Sequence, residues 1–166
     1  MPELLLMRHC KSSWADQGLA DSERPLTKRG KSDATAMGQL LVEREFIPDV
    51  ILTSPAKRAR STAKRVARAL DRPVKPRVVP SLYGAAPEEI LSLLSGLEEA
   101  PKRVLVIGHN PSVEELVAQL TEVRVAIRTG AIARITLDAP DWASVRAGTT
   151  GKLHSVLPTP AYRGTL

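Results

Sequence analysis

The chain has 166 residues, of which 43% are hydrophobic and 25% charged, and its formal net charge is +6. This length predicts one domain with its own core, and the composition is typical of a soluble globular protein. No stretch approaches the roughly 18 apolar residues that a membrane span requires. The single cysteine, Cys10, excludes an internal disulfide.

The start of the chain lacks the features of a secretory signal. Glu3 stands where a signal peptide has a basic segment, and the apolar run that follows, 4–7, is short. The single Cys10 also agrees with a reducing compartment. These features predict a cytoplasmic protein without a membrane partner.

The positive charge raises the question of nucleic-acid binding. Aromatic residues, on which single strands stack, are scarce, and no zinc-finger or RNA-recognition pattern is present. We therefore expect no nucleic-acid partner and interpret the basic segment as a solvated helix face with a phosphate pocket at its start. Nothing in the sequence indicates an oligomeric state. The basic residues of that segment are Lys57, Arg58, Arg60, Lys64, Arg65 and Arg68.

The first third of the chain predicts two buried strands joined by a loop and a helix. Thr27 is the predicted N-cap of the helix, whose apolar residues recur at helical spacing. The predicted elements are a strand at 3–8, a polar loop at 11–25, a helix that ends before Pro48, and a strand at 50–53.

The rest of the chain continues the alternation. Ser54 and Pro55 predict a helix start, with Ser54 as the cap and Pro55 as the first helical residue. Pro76 marks the next strand as an edge strand. The predicted elements after this helix are a strand at 74–79, a helix at 87–97, a strand at 103–107, a helix that follows Asn110-Pro111-Ser112, and a strand at 132–137.

Strands that alternate with helices predict an α/β fold: a single domain with a mostly parallel central sheet and helices on both faces. We assign residues 1–157 to this domain. The last residues, 158–166, are rich in Pro, Thr and Gly and predict an irregular C-terminal tail.

Three short segments follow predicted strands and carry the candidate site residues. Arg8 and His9 follow the first strand, Arg58 comes soon after the second, and His109 follows the strand at 103–107. Ligands of parallel α/β sheets bind outside the carboxyl ends of the strands. Two arginines and two histidines at such ends suit the binding of a phosphoryl group and its attack by an imidazole.

The residue types fit that chemistry. The planar guanidinium of arginine binds phosphate oxygens bidentately and stays charged. Neighbouring arginines favour a neutral histidine, which is a good nucleophile at phosphorus. Its other ring N–H needs an acceptor, for which we expect a backbone carbonyl. Helix N-termini after Ser54 and Asn110 would add N–H groups to the pocket.

These segments resemble the motifs of the histidine phosphatase superfamily, also called phosphoglycerate-mutase-like. Its RHG tripeptide, SPLxRAxxTA-like helix start, RPLTxxG turn and late GH dipeptide correspond to Arg8-His9-Cys10, 54–63, 24–30 and Gly108-His109. The short length and the segments 82–85, 108–111 and 129–131 resemble the SixA-type phosphohistidine phosphatase branch. The resemblance covers about residues 3 to 137, and it identifies the domain at 1–157 as a histidine phosphatase domain.

The resemblance implies a role for each matching residue. It makes His9 the nucleophile that becomes phosphorylated, and Arg8, Arg58 and His109 the groups that bind the phosphoryl group and stabilise its charge. We add Lys11 and Ser12 as candidate substrate-binding residues of the following loop. The implied activity is a metal-independent phosphatase with a phosphohistidine enzyme intermediate and no cofactor. The three histidines also lack the HxH and HExxH spacings of metal sites.

Two departures from the family pattern bear on the substrate. Cys10 replaces a glycine and places an oxidisable thiol beside the nucleophile. The glutamate that serves larger members as general acid has no counterpart at 79–84, and Glu88 and Glu89 are interpreted as acids of a helix start.

An alkoxide leaving group needs a proton, whereas the imidazole of a P–N bond leaves more readily. The sequence therefore favours phosphohistidine in a phosphorylated protein as substrate. The alternatives are a small phosphorylated substrate, cleaved by an ester phosphatase of the same superfamily, and a non-catalytic phosphate-binding module. A cysteine-based phosphatase is excluded, because its Cys-x5-Arg pattern would require arginine where Asp16 stands.

Overall fold

The computed structural model describes residues 1–164, which form six strands and four α-helices. The strands are β1 (Glu3–Arg8), β2 (Val50–Thr53), β3 (Arg77–Val78), β4 (Arg103–Gly108), β5 (Ile132–Leu137) and β6 (Gly151–Leu157). The helices are α1 (Lys28–Glu43), α2 (Lys57–Ala69), α3 (Pro87–Ser95) and α4 (Ser112–Thr121). Short 3-10 turns lie at Asp21–Glu23, Pro80–Leu82, Trp142–Ser144 and Pro160–Tyr162.

The strands form one mixed sheet in the order β3-β2-β4-β1-β5-β6. The first four strands of this order pair in parallel, and β5 and β6 pair antiparallel. Arg8 at the end of β1 pairs with Gly108 at the end of β4, and Thr53 of β2 pairs with Ile107. The carboxyl ends of three strands therefore lie side by side. The predicted α/β fold with a mostly parallel sheet is confirmed.

Apolar side chains cover both faces of the sheet because successive residues of a strand point to opposite sides. Leu5 and Met7 of β1 pack with α1 and α2 in one cluster, whereas Leu4 and Leu6 pack with α3 and α4 in another. All four of these side chains are fully buried. A strand buried on both faces reads as a continuous apolar run, which is why β1 was easy to predict.

One predicted helix start was wrong, and one strand was missed. Helix α2 is capped at Ala56 rather than Ser54. The Ser54 Oγ accepts a hydrogen bond from the Ala56 N–H at 3.2 Å and another from a histidine of the site. Strand β6 was not predicted at all. Its first four residues alternate between half-buried and exposed at the edge of the sheet, and they include Gly151, Lys152 and His154, so no apolar run marks the strand.

The C-terminal segment after β6 packs partly on the domain. Thr159 is buried, and the guanidinium of Arg128 lies 4.2 Å from the centre of the Tyr162 ring. The predicted tail includes residues 165 and 166, which lie outside the described residues, and the boundary at 157 stays a prediction. No helix within residues 1–164 is long and apolar enough to cross a membrane.

Candidate active site

The carboxyl ends of β1, β2 and β4 open onto a cavity of about 360 Å³. The four predicted catalytic residues line it together with the two predicted substrate-binding residues. The structure therefore brings all of them to one place, although they come from three separate segments. They are Arg8, His9, Lys11, Ser12, Arg58 and His109.

His9 is buried, with 7% of its surface exposed, and its hydrogen bonding defines its tautomer. Its Nδ1 lies 2.7 Å from the carbonyl oxygen of Cys10. A carbonyl oxygen only accepts, so Nδ1 carries the proton and Nε2 carries the lone pair. Burial, together with the nearby His109 and arginines, lowers the pKa of His9 to about 3, although this hydrogen bond opposes the shift. The ring is therefore neutral at physiological pH, as expected, and its lone pair lies on Nε2.

Backbone hydrogen bonds fix the end of β1. The His9 N–H donates to the Gly108 carbonyl at 3.0 Å, and the Gly130 N–H lies 2.9 Å from the Arg8 carbonyl and 3.1 Å from that of His9. The Cys10 N–H donates to the Thr62 Oγ1 of α2 at 3.0 Å. Three elements thus hold the segment that carries the nucleophile.

Cys10 is a packing residue in this structure. Its side chain is fully buried, and burial raises the pKa of its thiol to about 12. A Cβ at Gly130, where φ is +80°, would lie only 3.1 Å from the Cys10 Sγ. The expectation of an oxidisable thiol beside the nucleophile is corrected, because oxidation requires an accessible thiolate.

Arg58, in the first turn of α2, is buried and held by Asp21. Its NH1 donates to the Asp21 carbonyl at 2.7 Å, and its NH2 donates to the Asp21 Oδ2 at 3.0 Å. The same NH2 lies 3.5 Å from the His109 Nδ1. The guanidinium is thus fixed between the loop that precedes α1 and the residue that follows β4.

His109 has the opposite tautomer from His9. A guanidinium only donates, so the His109 Nδ1 faces Arg58 as an acceptor, and its Nε2–H donates to the Ser54 Oγ at 2.8 Å. Burial and the charge of Arg58 lower the pKa of His109 to about 4. The centres of the His9 and His109 rings are 5.2 Å apart, so the two imidazoles flank the same space.

The Arg8 guanidinium makes fewer hydrogen bonds than that of Arg58. Its NH1 donates to the Ile127 carbonyl at 3.4 Å, and its buried Nε has no hydrogen-bond partner within residues 1–164. Burial lowers the pKa of Arg8, and the charge of Glu114 opposes this. The Asn110 Nδ2 donates to both Ile127 O and Glu114 Oε1, which links this carboxylate to the cavity wall.

The loop that follows β1 contributes residues of two kinds. Lys11 is exposed at the cavity, whereas the Ser12 Oγ accepts a hydrogen bond from the guanidinium of Arg24. Arg24 is buried and lines the cavity, and its guanidinium carbon lies 3.3 Å from the ring centre of the exposed Trp14. Ser12 therefore supports the loop as well as lining the pocket.

Two acidic residues near the site, Glu89 and Asp21, are engaged in hydrogen bonds. The Glu89 carboxylate caps α3, because it accepts a hydrogen bond from the Ala86 N–H at 3.1 Å. This agrees with its interpretation as an acid of a helix start. Asp21 does contact the site, but its hydrogen bonds from Tyr83 and Arg58 keep the pKa of its carboxyl below the ordinary value. Asp21 is therefore ionised and has no proton to give. Within residues 1–164, no group of three or more potential ligands is arranged to hold a metal ion.

Sequence reasoning missed several residues of the site. Arg24 lies in a segment that had been matched to the RPLTxxG turn, so a signal for it was present. Asp21 and Tyr83 lie in 3-10 turns and loops without periodicity, and only the folded chain shows their contact with the site. The other residues that line the cavity are Trp14, Asn110 and Thr129.

An α/β sheet with two histidines and two arginines at adjacent strand ends defines the fold and site of a phosphoryl-binding protein. The profile of the family described as "histidine phosphatase superfamily (branch 1)" matches residues 4–82 of the chain. An uncharacterized protein of Mycobacterium tuberculosis is 35% identical over 153 residues, which cover 86% of this chain and 93% of that protein. An uncharacterized chloroplastic protein of Arabidopsis thaliana is 32% identical over 135 residues, and the match spans 76% of this chain and 62% of that longer protein.

Solved structures give the same assignment. The SixA protein of Nakamurella multipartitia superposes with a TM-score of 0.80 at 28% identity, covering 96% of each chain. The protein histidine phosphatase SixA in complex with tungstate superposes with a TM-score of 0.78 at 29% identity, covering 96% of this chain and 97% of that one. The chain belongs to the histidine phosphatase superfamily, in its SixA-type branch.

Proposed function

We propose that this chain is a phosphatase that removes phosphate from phosphohistidine in proteins through a phosphohistidine intermediate on His9. The observation that carries the proposal is the buried neutral imidazole of His9, whose Nδ1–H is committed to a backbone carbonyl. Its Nε2 is thereby the nucleophilic atom, in a cavity lined by cations. The family membership and the tungstate complex of a SixA protein support it, because tungstate is a tetrahedral oxyanion like phosphate.

In the first half-reaction, the His9 Nε2 attacks phosphorus, and the P–N bond to the substrate imidazole breaks. The electron pair of that bond returns to the departing nitrogen. Arg8 and Arg58 bind the phosphoryl oxygens and stabilise their charge in the transition state. If the substrate ring is protonated on its other nitrogen, it leaves as neutral imidazole and takes no proton from the enzyme.

In the second half-reaction, water attacks the phosphorus of phosphorylated His9 and releases inorganic phosphate. The P–N bond breaks, its electron pair returns to Nε2, and the proton of the water passes to solvent. The Cys10 carbonyl stays bonded to Nδ1–H throughout and favours the positive charge that the phosphorylated ring carries. The same hydrogen bond thus orients the nucleophile and supports the intermediate.

The substrate preference follows from the lack of a proton donor. An alkyl phosphate leaves as an alkoxide and needs a general acid. Asp21 is ionised, and Glu89 caps a helix, so neither serves this purpose. A phosphohistidine substrate avoids the requirement. The proposal includes a cytoplasmic location, which rests on the single unpaired cysteine.

The test compares leaving groups on the purified protein. We expect kcat/KM to be highest for a phosphohistidine peptide and phosphoramidate, intermediate for an aryl phosphate and lowest for a sugar phosphate. Glu88→Gln and Glu89→Gln serve as matched variants and should leave hydrolysis of the peptide unchanged. Equal kcat/KM for the sugar phosphate and the peptide, lost on replacement of either glutamate, would identify a small-ester phosphatase instead.

A second measurement tests metal independence. Activity on the phosphohistidine peptide should persist after treatment with EDTA and dialysis. Loss of activity that a divalent metal restores would contradict the proposed mechanism.

A further inference from the structure

Asp21 holds Arg58 through both its backbone and its side chain. The Asp21 carbonyl accepts from NH1 at 2.7 Å, and the carboxylate Oδ2 accepts from NH2 at 3.0 Å. Arginine has five N–H donors in a fixed plane. With the other NH2 hydrogen directed at His109, these contacts leave one NH1 hydrogen and the Nε–H unused. Asp21 therefore restricts the rotation of the guanidinium and fixes the direction of its remaining donors.

The carboxylate also separates two buried arginines. Its Oδ2 binds Arg58, and its Oδ1 lies 3.4 Å from NH1 of Arg24. Both arginines are 7% exposed, and both line the cavity. Burial and, after it, the charge of Arg58 lower the pKa of Arg24, as expected of like charges held near each other. Asp21 lies between them and offsets this repulsion.

Tyr83 fixes the carboxylate from another part of the chain. Its hydroxyl donates to the Asp21 Oδ2 at 2.6 Å, and its ring meets that of His109 edge-on, with the centres 5.7 Å apart. Tyr83 follows the 3-10 turn after β3, whereas Asp21 begins the 3-10 turn before α1. The contact ties two loops together at the rim of the cavity.

We infer that Asp21 is a positioning residue for phosphoryl binding: it orients the Arg58 guanidinium and keeps it apart from Arg24. The inference rests on the proposed function, in which Arg58 binds the phosphoryl group. Asp21 itself is ionised and already engaged by three side chains, so it neither donates a proton nor contacts the reacting atoms.

Asp21 could act by positioning Arg58 or by repelling the bound anion, and these two roles predict opposite effects of Asp21→Asn on anion affinity. If Asp21 only added negative charge near the site, its neutralisation would tighten the binding of an anion. If it positions Arg58, the same variant weakens binding because the two arginines move apart. Asp21 is paired with two arginines, Arg58 at 3.0 Å and Arg24 at 3.4 Å, so we expect positioning to dominate over repulsion of the anion.

The experiment is a double-mutant cycle read by calorimetric titration with inorganic phosphate. Asp21→Asn should raise the Kd for phosphate about fivefold, the size expected of a half-exposed ion pair. In an Arg58→Ala background the same substitution should leave the Kd unchanged. The matched control is Asp16→Asn, on the same loop, whose Oδ1 accepts from the Gly18 N–H at 3.0 Å away from the cavity. Its phosphate Kd should equal that of the wild type.

Turnover provides the second readout. Asp21→Asn should lower kcat/KM by one common factor for a phosphohistidine peptide and an aryl phosphate, because the phosphoryl group is common to both. Tighter phosphate binding, an equal effect with and without Arg58, or a loss confined to one leaving group would overturn the inference.

The test still gives a result if Asp21→Asn is unstable or if the protein shows no turnover. If Asp21→Asn lowers the melting temperature below the assay range, Tyr83→Phe removes one contact of the same carboxylate and should weaken phosphate binding in an Arg58-dependent manner. Binding also needs no turnover. A wild type that binds phosphate without hydrolysing any substrate would refute the proposed function, whereas the cycle would still decide the role of Asp21.

Discussion

At the scale of single residues, the two histidines of the site are distinguished by their hydrogen-bond partners. A carbonyl oxygen makes His9 an Nδ1–H tautomer, and the guanidinium of Arg58 together with Ser54 makes His109 an Nε2–H tautomer. Protonation of Nδ1 would give His109 a second N–H donor beside the one directed at Ser54. We expect binding of a dianion to favour this protonated form and so to raise the pKa of His109 from its value of about 4. His9 needs no such change to act as a nucleophile.

The first prediction concerns Arg58. Arg58→Ala should lower kcat by about a hundredfold, the cost of removing one donor that stabilises transition-state charge. Arg60→Ala is the matched control, since Arg60 lies on the exposed face of α2 and its Nε donates to the Pro55 carbonyl at 2.7 Å. Steady-state kinetics on phosphoramidate measures both variants. An Arg58→Ala enzyme within a factor of two of the wild type would refute the phosphoryl-binding role.

The residues that could be predicted from sequence share one property. Arg8, His9 and His109 directly follow apolar strands, so a strand prediction alone places them at the edge of the sheet. Asp21 and Tyr83 come from turns whose position depends on tertiary packing. No local sequence pattern predicts that Asp21, in a polar loop, will bind Arg58, which lies 37 residues further along the chain.

At the scale of elements, the packing of α1 on α2 depends on small residues. A Cβ at Gly38 of α1 would lie 2.6 Å from the Val66 carbonyl oxygen and 2.7 Å from the Ala69 Cβ. Ala59 and Ala63 of α2 are fully buried in the same layer. Because α2 carries Arg58 and Thr62, a change in this packing also affects the site.

Gly38→Ala should therefore destabilise the fold although alanine favours helices. Overpacking costs typically about 2 kcal/mol, more than the helix propensity gained. Gly96→Ala, at the end of α3, is the control, because its Cβ would meet no atom closer than 3.6 Å. Urea unfolding gives both free energies. A Gly38→Ala protein as stable as the wild type would show that the two helices can separate without cost.

The elements also show where sequence patterns fail. Strands β1 and β4 are uninterrupted apolar runs and were predicted to within a residue of their ends. The antiparallel strand β6 is half exposed, and its polar residues resemble those of a loop. Ser54 followed by Pro55 is a typical helix start, but α2 begins at Lys57. The Ser54 hydroxyl instead accepts from the Ala56 N–H and from the Nε2–H of His109.

At the scale of the whole molecule, the buried neutral histidines link the site to stability. Burial lowers the pKa of His9 to about 3 and that of His109 to about 4 in the folded chain, whereas both lie near 6.5 when unfolded. Between pH about 6.5 and about 4.5, the unfolded chain therefore binds protons that the folded chain does not. Stability should fall as the pH falls through this window.

A matched variant tests this dependence. His9→Asn removes one of the two groups, so its melting temperature should decline less between pH about 7 and about 5 than that of the wild type. The carboxylates with lowered pKa values, such as Glu3 and Asp49, act mainly at lower pH and are common to both proteins. Parallel curves for the two proteins would mean that His9 is not held neutral by the fold.

The distribution of charge also belongs to this scale. The net charge of +6 includes four cations that line the cavity, whereas no carboxylate side chain within residues 1–164 lines it. Such a field attracts phosphorylated substrates and favours the dianion once it is bound. The cations that line the cavity are Arg8, Lys11, Arg24 and Arg58.

In the proposed mechanism, His9 carries the phosphoryl group during turnover. The most direct measurement is to mix the protein with labelled phosphoramidate, quench rapidly in alkali and map the label by mass spectrometry. We expect an alkali-stable, acid-labile phosphate on His9 in the wild type. In His9→Ala we expect neither the label nor turnover. Near-normal turnover of His9→Ala, or a label on another residue, would contradict the account.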